Sequence, residues 1–412
     1  MAVAPENRPA GAAASHGSLK TPSVYFYCRN EEGNLQEDVI ALAEGLNDLG
    51  IRHYANCNYW LQSTAPDDYL LHHRSDVIAD DCDLVVVSYT WPSWMDPKTF
   101  NVSRRPLPDG LFKRGRRYKT VYMDSHDGHR TVSWEPEFRQ FDLILRSKLN
   151  RRAWHPDNMR PWVAGINNRI LQATEGHLPF AERDRSILIN FGASHPYPHG
   201  VRDLAQARFD PKIGRLLTID RTKDDLARIP ADPQDALMWR QTGARFARPY
   251  YERLKRSQAV ACFCGELIPP MPFQNPECYL VGGNRAKIRR VYYEFLSLLD
   301  PRPRRSVQWD SFRFWEALAA GCVAFNLDLD RYGVDIPVMP ENWKHYIGVD
   351  LDRVDETIER LEAEPNAMEK IGQVGRLWAL GNYSPRAMAQ RLLNLLGFRQ
   401  VYDSQPRCEG ST

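Results

Sequence analysis

The feature that most constrains this chain is an alternation of strand-like and helix-like stretches that runs through it twice. Residues 23–28, 51–54, 82–88, 119–124 and 141–146 are short apolar runs of the kind that form buried strands. Between the first two, Val39, Leu42, Ala43, Leu46 and Leu49 recur at helical spacing until Gly50 stops them. Strands separated by helices pair in parallel, and a parallel sheet needs cover on both faces. The pattern then restarts, with strands expected at 186–192, 215–219, 258–264 and 321–326. A helical region ends near 250–255, and the last helices are expected at 354–362 and 385–396. The fold class is therefore α/β in two successive units, with a hinge near residues 165–185. At roughly 150 residues per domain, 412 residues allow two or three. Open α/β sheets bind ligands at the carboxyl ends of their strands, so two facing sheets place a cleft between them.

Composition narrows the partners. Lys plus Arg number 54 against 52 for Asp plus Glu, so the basic excess of a chain that mainly grips nucleic acid is missing. No stable nucleic-acid partner is expected. The local basic clusters 113–117 and 302–305 read as solvated loops or as contacts to phosphate. The eight cysteines are scattered without a Cys-x-x-Cys pair, which fits a reducing, cytoplasmic setting. Residues 1–20, rich in Ala, Pro and Gly, are expected to be a disordered tail without a signal-peptide core. No apolar stretch approaches the roughly 20 residues of a membrane span.

The chemistry concentrates in residues 310–322, Asp-Ser-Phe-Arg-Phe-Trp-Glu-Ala-Leu-Ala-Ala-Gly-Cys. Asp310 or Ser311 caps a short helix, and Gly321 ends it in the left-handed conformation. Phe312, Trp315, Leu318 and Ala319 share a core face. Arg313, Glu316 and Ala320 share another stripe, which sets the two charges side by side. A helix N-terminus favours anions, a cation answers phosphate, and a carboxylate accepts from ribose hydroxyls. An ordinary surface salt bridge between Arg313 and Glu316 uses the same spacing.

This segment resembles the donor-site signature of GT-B glycosyltransferases, especially the group 1-like and exostosin-like enzymes. The resemblance implies two Rossmann-like domains facing a central cleft: residues 21–170 on the acceptor side and 171–380 on the nucleotide-sugar side. It also implies a C-terminal helix within 381–412 that crosses back to the first domain. Glu316 would hold the ribose of a nucleoside-diphosphate sugar, with Ser311 and Arg313 near the diphosphate. The sequence departs from relatives at Ala324, where many have proline, and at Gln308, where retaining enzymes often have glutamate.

Further donor contacts are expected from Arg202, which follows the loop 192–200, and from Gly265 at the end of a strand. His195 and His199 have zinc-like spacing, but the prolines between them oppose a regular helix. The Asp328-x-Asp330 pair resembles a metal-holding pair of the other large glycosyltransferase fold, yet it comes late in the chain. Neither a metal nor a cofactor beyond the donor sugar nucleotide is expected. On the acceptor side, residues 124–129 (Asp-Ser-His-Asp-Gly-His) end a strand, and Asp127 and His126 are the candidates for a general base toward an acceptor hydroxyl. Asn30 and its loop face the same way, and Tyr59, Trp60, Trp91 and Trp94 are either stacking surfaces or core. A dinucleotide oxidoreductase would want Gly-x-Gly-x-x-Gly after an early strand, and Cys28 to Gly33 lacks it. The competing reading is a non-catalytic nucleotide- or sugar-binding protein that keeps the fold.

Overall fold

A computed structural model describes residues 21–30, 35–95, 102–128, 132–190, 200–269, 291–292, 295, 298 and 304–398. The first unit is a six-stranded parallel sheet. Its strands are β1 (Val24–Tyr27), β2 (His53–Ala55), β3 (Leu84–Ser88), β4 (Lys119–Asp124), β5 (Leu143–Ser147) and β6 (Met159–Trp162), in the spatial order β6-β5-β4-β3-β1-β2. The second is a five-stranded parallel sheet of β7 (Asp184–Leu188), β8 (Thr218–Asp220), β9 (Ser257–Ala261), β10 (Val323–Leu327) and β11 (Ile347–Val349). Its order is β8-β7-β9-β10-β11. Both sheets therefore reverse direction of growth between their first and third strands, which is where a doubly wound sheet opens a crevice. The two Rossmann-like units anticipated from the alternation are present.

The strands alternate between two buried faces. Leu84 and Val86 enter one core while Val85 and Val87 enter another, all fully buried. The core under the first sheet continues without a break into the second unit. It takes in helices α1 (Glu37–Asp48), α2 (Asn168–Thr174), α6 (Arg248–Arg256), α7 (Phe312–Ala319), α9 (Ala367–Tyr383) and α10 (Pro385–Leu395). The opposite face of the second sheet is covered by α3 (Val201–Arg208), α4 (Asp210–Ile213) and α8 (Val354–Ala363); α5 spans Pro233–Gln241. Helix α10 lies along α1. Arg386 Nη1 donates to the Asp48 carbonyl at 2.9 Å, and Lys119 Nζ to the Leu396 carbonyl at 2.7 Å.

Two strand positions shift for a local reason. Ile51 bonds back to Leu46 as part of the helix ending, so β2 starts at His53. Leu216 and Leu217 bond back to Ile213 in a turn, so β8 starts at Thr218. Tyr59 and Trp60 are core residues, 4% and 5% exposed. Arg305, in a cluster read as a solvated loop or a contact to phosphate, is not solvated but buried in a ribbon pairing Arg305–Ser306 with Leu267–Ile268.

Candidate functional site

The segments that leave the carboxyl ends of β4 and β5 meet those that leave β9 and β10. Leu149–Asn150 pairs antiparallel with Val334–Asp335, joining the two units by backbone. Asn150 Nδ2 donates to the carbonyls of Ser306 (3.0 Å) and Tyr332 (2.8 Å). At the centre of this seam, Gln308 Nε2 donates to Asp127 Oδ1 at 2.9 Å. The backbones are in close contact here. A Cβ on Gly128 would lie 1.1 Å from the Val307 carbonyl oxygen, and one on Gly265 1.2 Å from that of Gln308. Gly265 also has φ +86°, so glycine is required there twice over.

On the first unit's side, Asp124 ends β4 fully buried. Burial by itself would raise its carboxyl. The Arg146 guanidinium (2.5 Å), then His126 and Ser133, together outweigh burial and hold it well below the usual carboxylate range. This fixed anion lies 2.7 Å from His126 Nδ1. With Nδ1–H donating to Asp124, Nε2 becomes the basic nitrogen of the ring. A buried carboxylate orienting an imidazole is the arrangement a general base needs. Asp127 is engaged differently, between Gln308 and Lys148 Nζ at 3.8 Å. Lys148, which sequence reasoning missed, follows β5 with φ +62°, an uncommon backbone state for a non-glycine residue and one that collects at functional sites. The charged residue closing the apolar run of β5, Arg146, was the available signal for this corner.

On the second unit's side, a pocket of ≈ 220 Å³ opens beyond β7, β8 and β9. Its lining includes Asn190, Phe263, the three cations Arg202, Arg221 and Lys223, and the carboxylate of Asp210. Arg202 is thus part of the pocket wall. Arg221 also pairs with Asp210 at 2.8 Å. Helix α3 starts beside this pocket, with Val201 N–H donating to the Gly265 carbonyl at 2.9 Å. Gly265 in turn abuts Gln308, and Gln308 bonds Asp127, so a chain of contacts links the start of α3 at the pocket wall to the seam. The neighbouring Glu266 is buried, and burial followed by the charge of Asp203 pushes its carboxyl up to about 8.

Helix α7 has the boundaries its sequence predicts. Gly321 ends it at φ +70°, with Cys322 N–H bonding back to Ala317. Ser311 occupies the capping position but makes no side-chain cap bond, while Asp310 Oδ1 accepts from Trp315 Nε1 at 2.8 Å. Arg313 Nη1 and Glu316 Oε2 lie 2.8 Å apart, side by side as expected. The surroundings were not expected. Glu316 is 3% exposed and accepts from Tyr250 (3.0 Å) and Tyr251 (2.7 Å). Arg169 stands 4.0 Å away and pairs at 2.6 Å with Glu37 of α1. Two glutamates and two arginines, all buried but the half-buried Arg313, thus balance in a network spanning both units. Burial would raise the Glu316 carboxyl; Arg313, then Arg169 and Tyr251, outweigh it and keep it low. Arg313 Nε donates to the Asn190 carbonyl at 3.2 Å, which ties the network to the pocket wall.

The remaining candidates are dispersed. Asp328 accepts from Arg331 N–H and Asn342, and Asp330 pairs with Arg151 at the surface. Among the described residues no group of three or more metal-binding side chains occurs. His195 and His199 lie outside the described residues, and so does the side chain of Trp94. Asn30 donates to the Asn58 carbonyl, and Arg29 stacks on Trp91 at 4.6 Å. No described helix is long and apolar enough to cross a membrane.

No family model matches this chain, and no curated protein matches it. Several solved structures are similar to it. An α-glucosyltransferase in complex with UDP-glucose and DNA containing an abasic site has TM-score 0.47 at 8% identity, over 91% of this chain and 98% of that one. A glycosyltransferase from Rickettsia africae has TM-score 0.43 at 9% identity, over 93% and 100%. HepE from Anabaena in complex with UDP has TM-score 0.43 at 9% identity, over 92% and 100%.

Proposed function

We propose that this protein is a GT-B-type glycosyltransferase that moves a sugar from a nucleoside-diphosphate sugar to a hydroxyl acceptor. The observation that carries this reading is the seam itself. A pocket with three cations at the crevice of the second sheet is linked, through Gly265 and Gln308, to Asp127, the residue after the oriented His126 at the carboxyl edge of the first. The donor-site resemblance of residues 310–322 supports it, and so does the doubly wound order of both sheets.

In this reading the diphosphate lies against Arg202, with Arg221 and Lys223 adding charge and the first turn of α3 offering the N–H groups that follow Val201. Glu266, kept protonated near neutral pH, does not cancel that charge. Gly265 lets the backbone come close, and Ser311 stands at the start of α7. His126 takes the proton of the acceptor hydroxyl as its oxygen forms a bond to the anomeric carbon. The bond from that carbon to the diphosphate oxygen breaks, and the charge left on the diphosphate is met by the cations and N–H groups. Asp127, held by Gln308 and Lys148, positions the acceptor. Glu316 accepts ribose hydroxyls only if Tyr250 or Tyr251 releases it. Its first task in this geometry is to hold Arg313 against the pocket wall. Transfer proceeds without a metal, in a reducing cytoplasmic setting, on acceptors such as a small molecule, a nucleoside or a glycan.

Two measurements test this together. Thermal unfolding with a panel of nucleoside diphosphates and their sugars is expected to show a stabilising ligand, because binding to the native state raises the midpoint by mass action. His126→Ala is then expected to keep that shift while lowering turnover by about 10²–10⁴-fold. A panel with no stabilising nucleotide would overturn the donor site. Binding without any transfer or donor hydrolysis by the unmodified protein would favour the non-catalytic reading instead.

A further inference from the structure

Strands β1 and β2 pair in parallel with Val24 opposite His53, Tyr25 opposite Tyr54 and Phe26 opposite Ala55. The same register, carried two places further, sets Cys28 opposite Cys57. Asn56 continues the ladder by donating to the Phe26 carbonyl at 3.1 Å, and its side chain accepts from the Cys28 N–H at 2.8 Å. Both thiols point to the shared core, Cys28 fully buried and Cys57 half-buried. Their sulfurs are 3.7 Å apart. Neighbouring strands stand about 4.8 Å apart, inside the roughly 4.4–6.8 Å between Cα atoms that a disulfide spans.

We propose that Cys28 and Cys57 form a reversible thiol–disulfide site at the carboxyl end of β1, a covalent modification independent of the transferase reading. The two thiols are unequal. The hydrogen bond from Cys28 brings Cys57 below the usual thiol value against the opposing effect of its burial, and the Asn30 backbone and the Arg29 charge add to it. The same hydrogen bond, and then burial, push Cys28 up. Cys57, more exposed and more readily ionised, is therefore the attacking sulfur.

The oxidant is a low-molecular-weight disulfide such as glutathione disulfide. The Cys57 thiolate attacks one of its sulfurs; a mixed disulfide forms, and one glutathione thiolate leaves and takes a proton from water. Cys28 loses its proton to water and attacks the Cys57 sulfur. The intramolecular bond forms, and the second glutathione thiolate leaves and is protonated. Two protein thiols are oxidised and one external disulfide is reduced to two thiols. The bridge would fasten the segment carrying Arg29 and Asn30 to that carrying Asn56 and Asn58.

The experiment equilibrates the full chain with glutathione disulfide, blocks remaining thiols with an alkylating agent and maps the peptides by mass. The expected product is a linked pair of peptides containing Cys28 and Cys57, lighter by two hydrogens and separated by dithiothreitol. Cys28→Ser is expected to leave Cys57 as a stable mixed disulfide with glutathione, and Cys57→Ser to leave Cys28 a free thiol. Alkylation of both residues in the unmodified protein after oxidation, or a Cys57 bridged to any other cysteine, would overturn the proposal.

Discussion

Burying a carboxylate is expensive unless its charge is answered or its proton retained, and two glutamates take these opposite routes. Glu316 is answered by two tyrosines and two arginines. Glu316→Ala would leave the half-buried Arg313 without its carboxylate, Tyr250 and Tyr251 without their acceptor, and Arg169 with Glu37 alone, so a stability loss of about 1–3 kcal/mol is expected in urea denaturation. A wild-type midpoint for that variant would show that the network does not hold the units together. Glu44 of α1 retains its proton. Burial raises its carboxyl to about 8 against a backbone hydrogen bond from Asn168 (2.7 Å) that favours the charge. With the folded value above the unfolded one, its contribution to stability is complete below about pH 4.5 and is lost as pH rises through about 8. Glu44→Gln cannot ionise. It should match the parent near pH 5 and exceed it by roughly 1–3 kcal/mol at pH 8. Equal pH slopes for the two proteins would contradict this. The pairing of Arg313 with Glu316 was legible in the sequence because it spans one helical turn. Tyr250 and Tyr251 were not, since they reach Glu316 across 66 and 65 positions of the chain.

Among elements, the strands with unbroken apolar runs were legible, and those whose local sequence works against them were hidden. Strand β6 carries Pro161, tolerable only because β6 is the sheet edge, a fact of topology. Strand β11 is three residues long, and α9 contains Gly372, Gly375 and Gly381, which interrupt any helical reading. The turn after β9 was visible as Gly265, but its purpose appears only where two backbones meet. Gly265→Ala drives a methyl into the Gln308 carbonyl at a positive φ, so the Gln308–Asp127 link should break. A lower melting midpoint and a loss of nucleotide-induced stabilisation are expected together. If the alanine variant melts and binds like the parent, the contact between pocket and seam is unimportant.

For the whole molecule, the decisive property is that one core serves both sheets. Sequence alternation revealed two units, but it could not reveal that α1, α6, α7, α9 and α10 bury their faces in common. Units with separate cores would melt separately. Here scanning calorimetry of the ligand-free protein should give one transition, with calorimetric and van't Hoff enthalpies in agreement. Two resolved transitions would falsify the shared core as a cooperative unit.

The packing of α10 on α1 has a consequence in time. The ribosome releases the chain from its N-terminus, at about 5–20 residues per second. Helix α1, near the start of the chain, therefore emerges long before the residues that cover it. Until then the side of α1 that α10 covers has no native partner, and the core it shares with the first sheet stays incomplete until α10 has left the tunnel. The order of synthesis and the order of packing are thus opposed, and a nascent chain stalled ahead of residue 385 would offer that bare helix to chaperones.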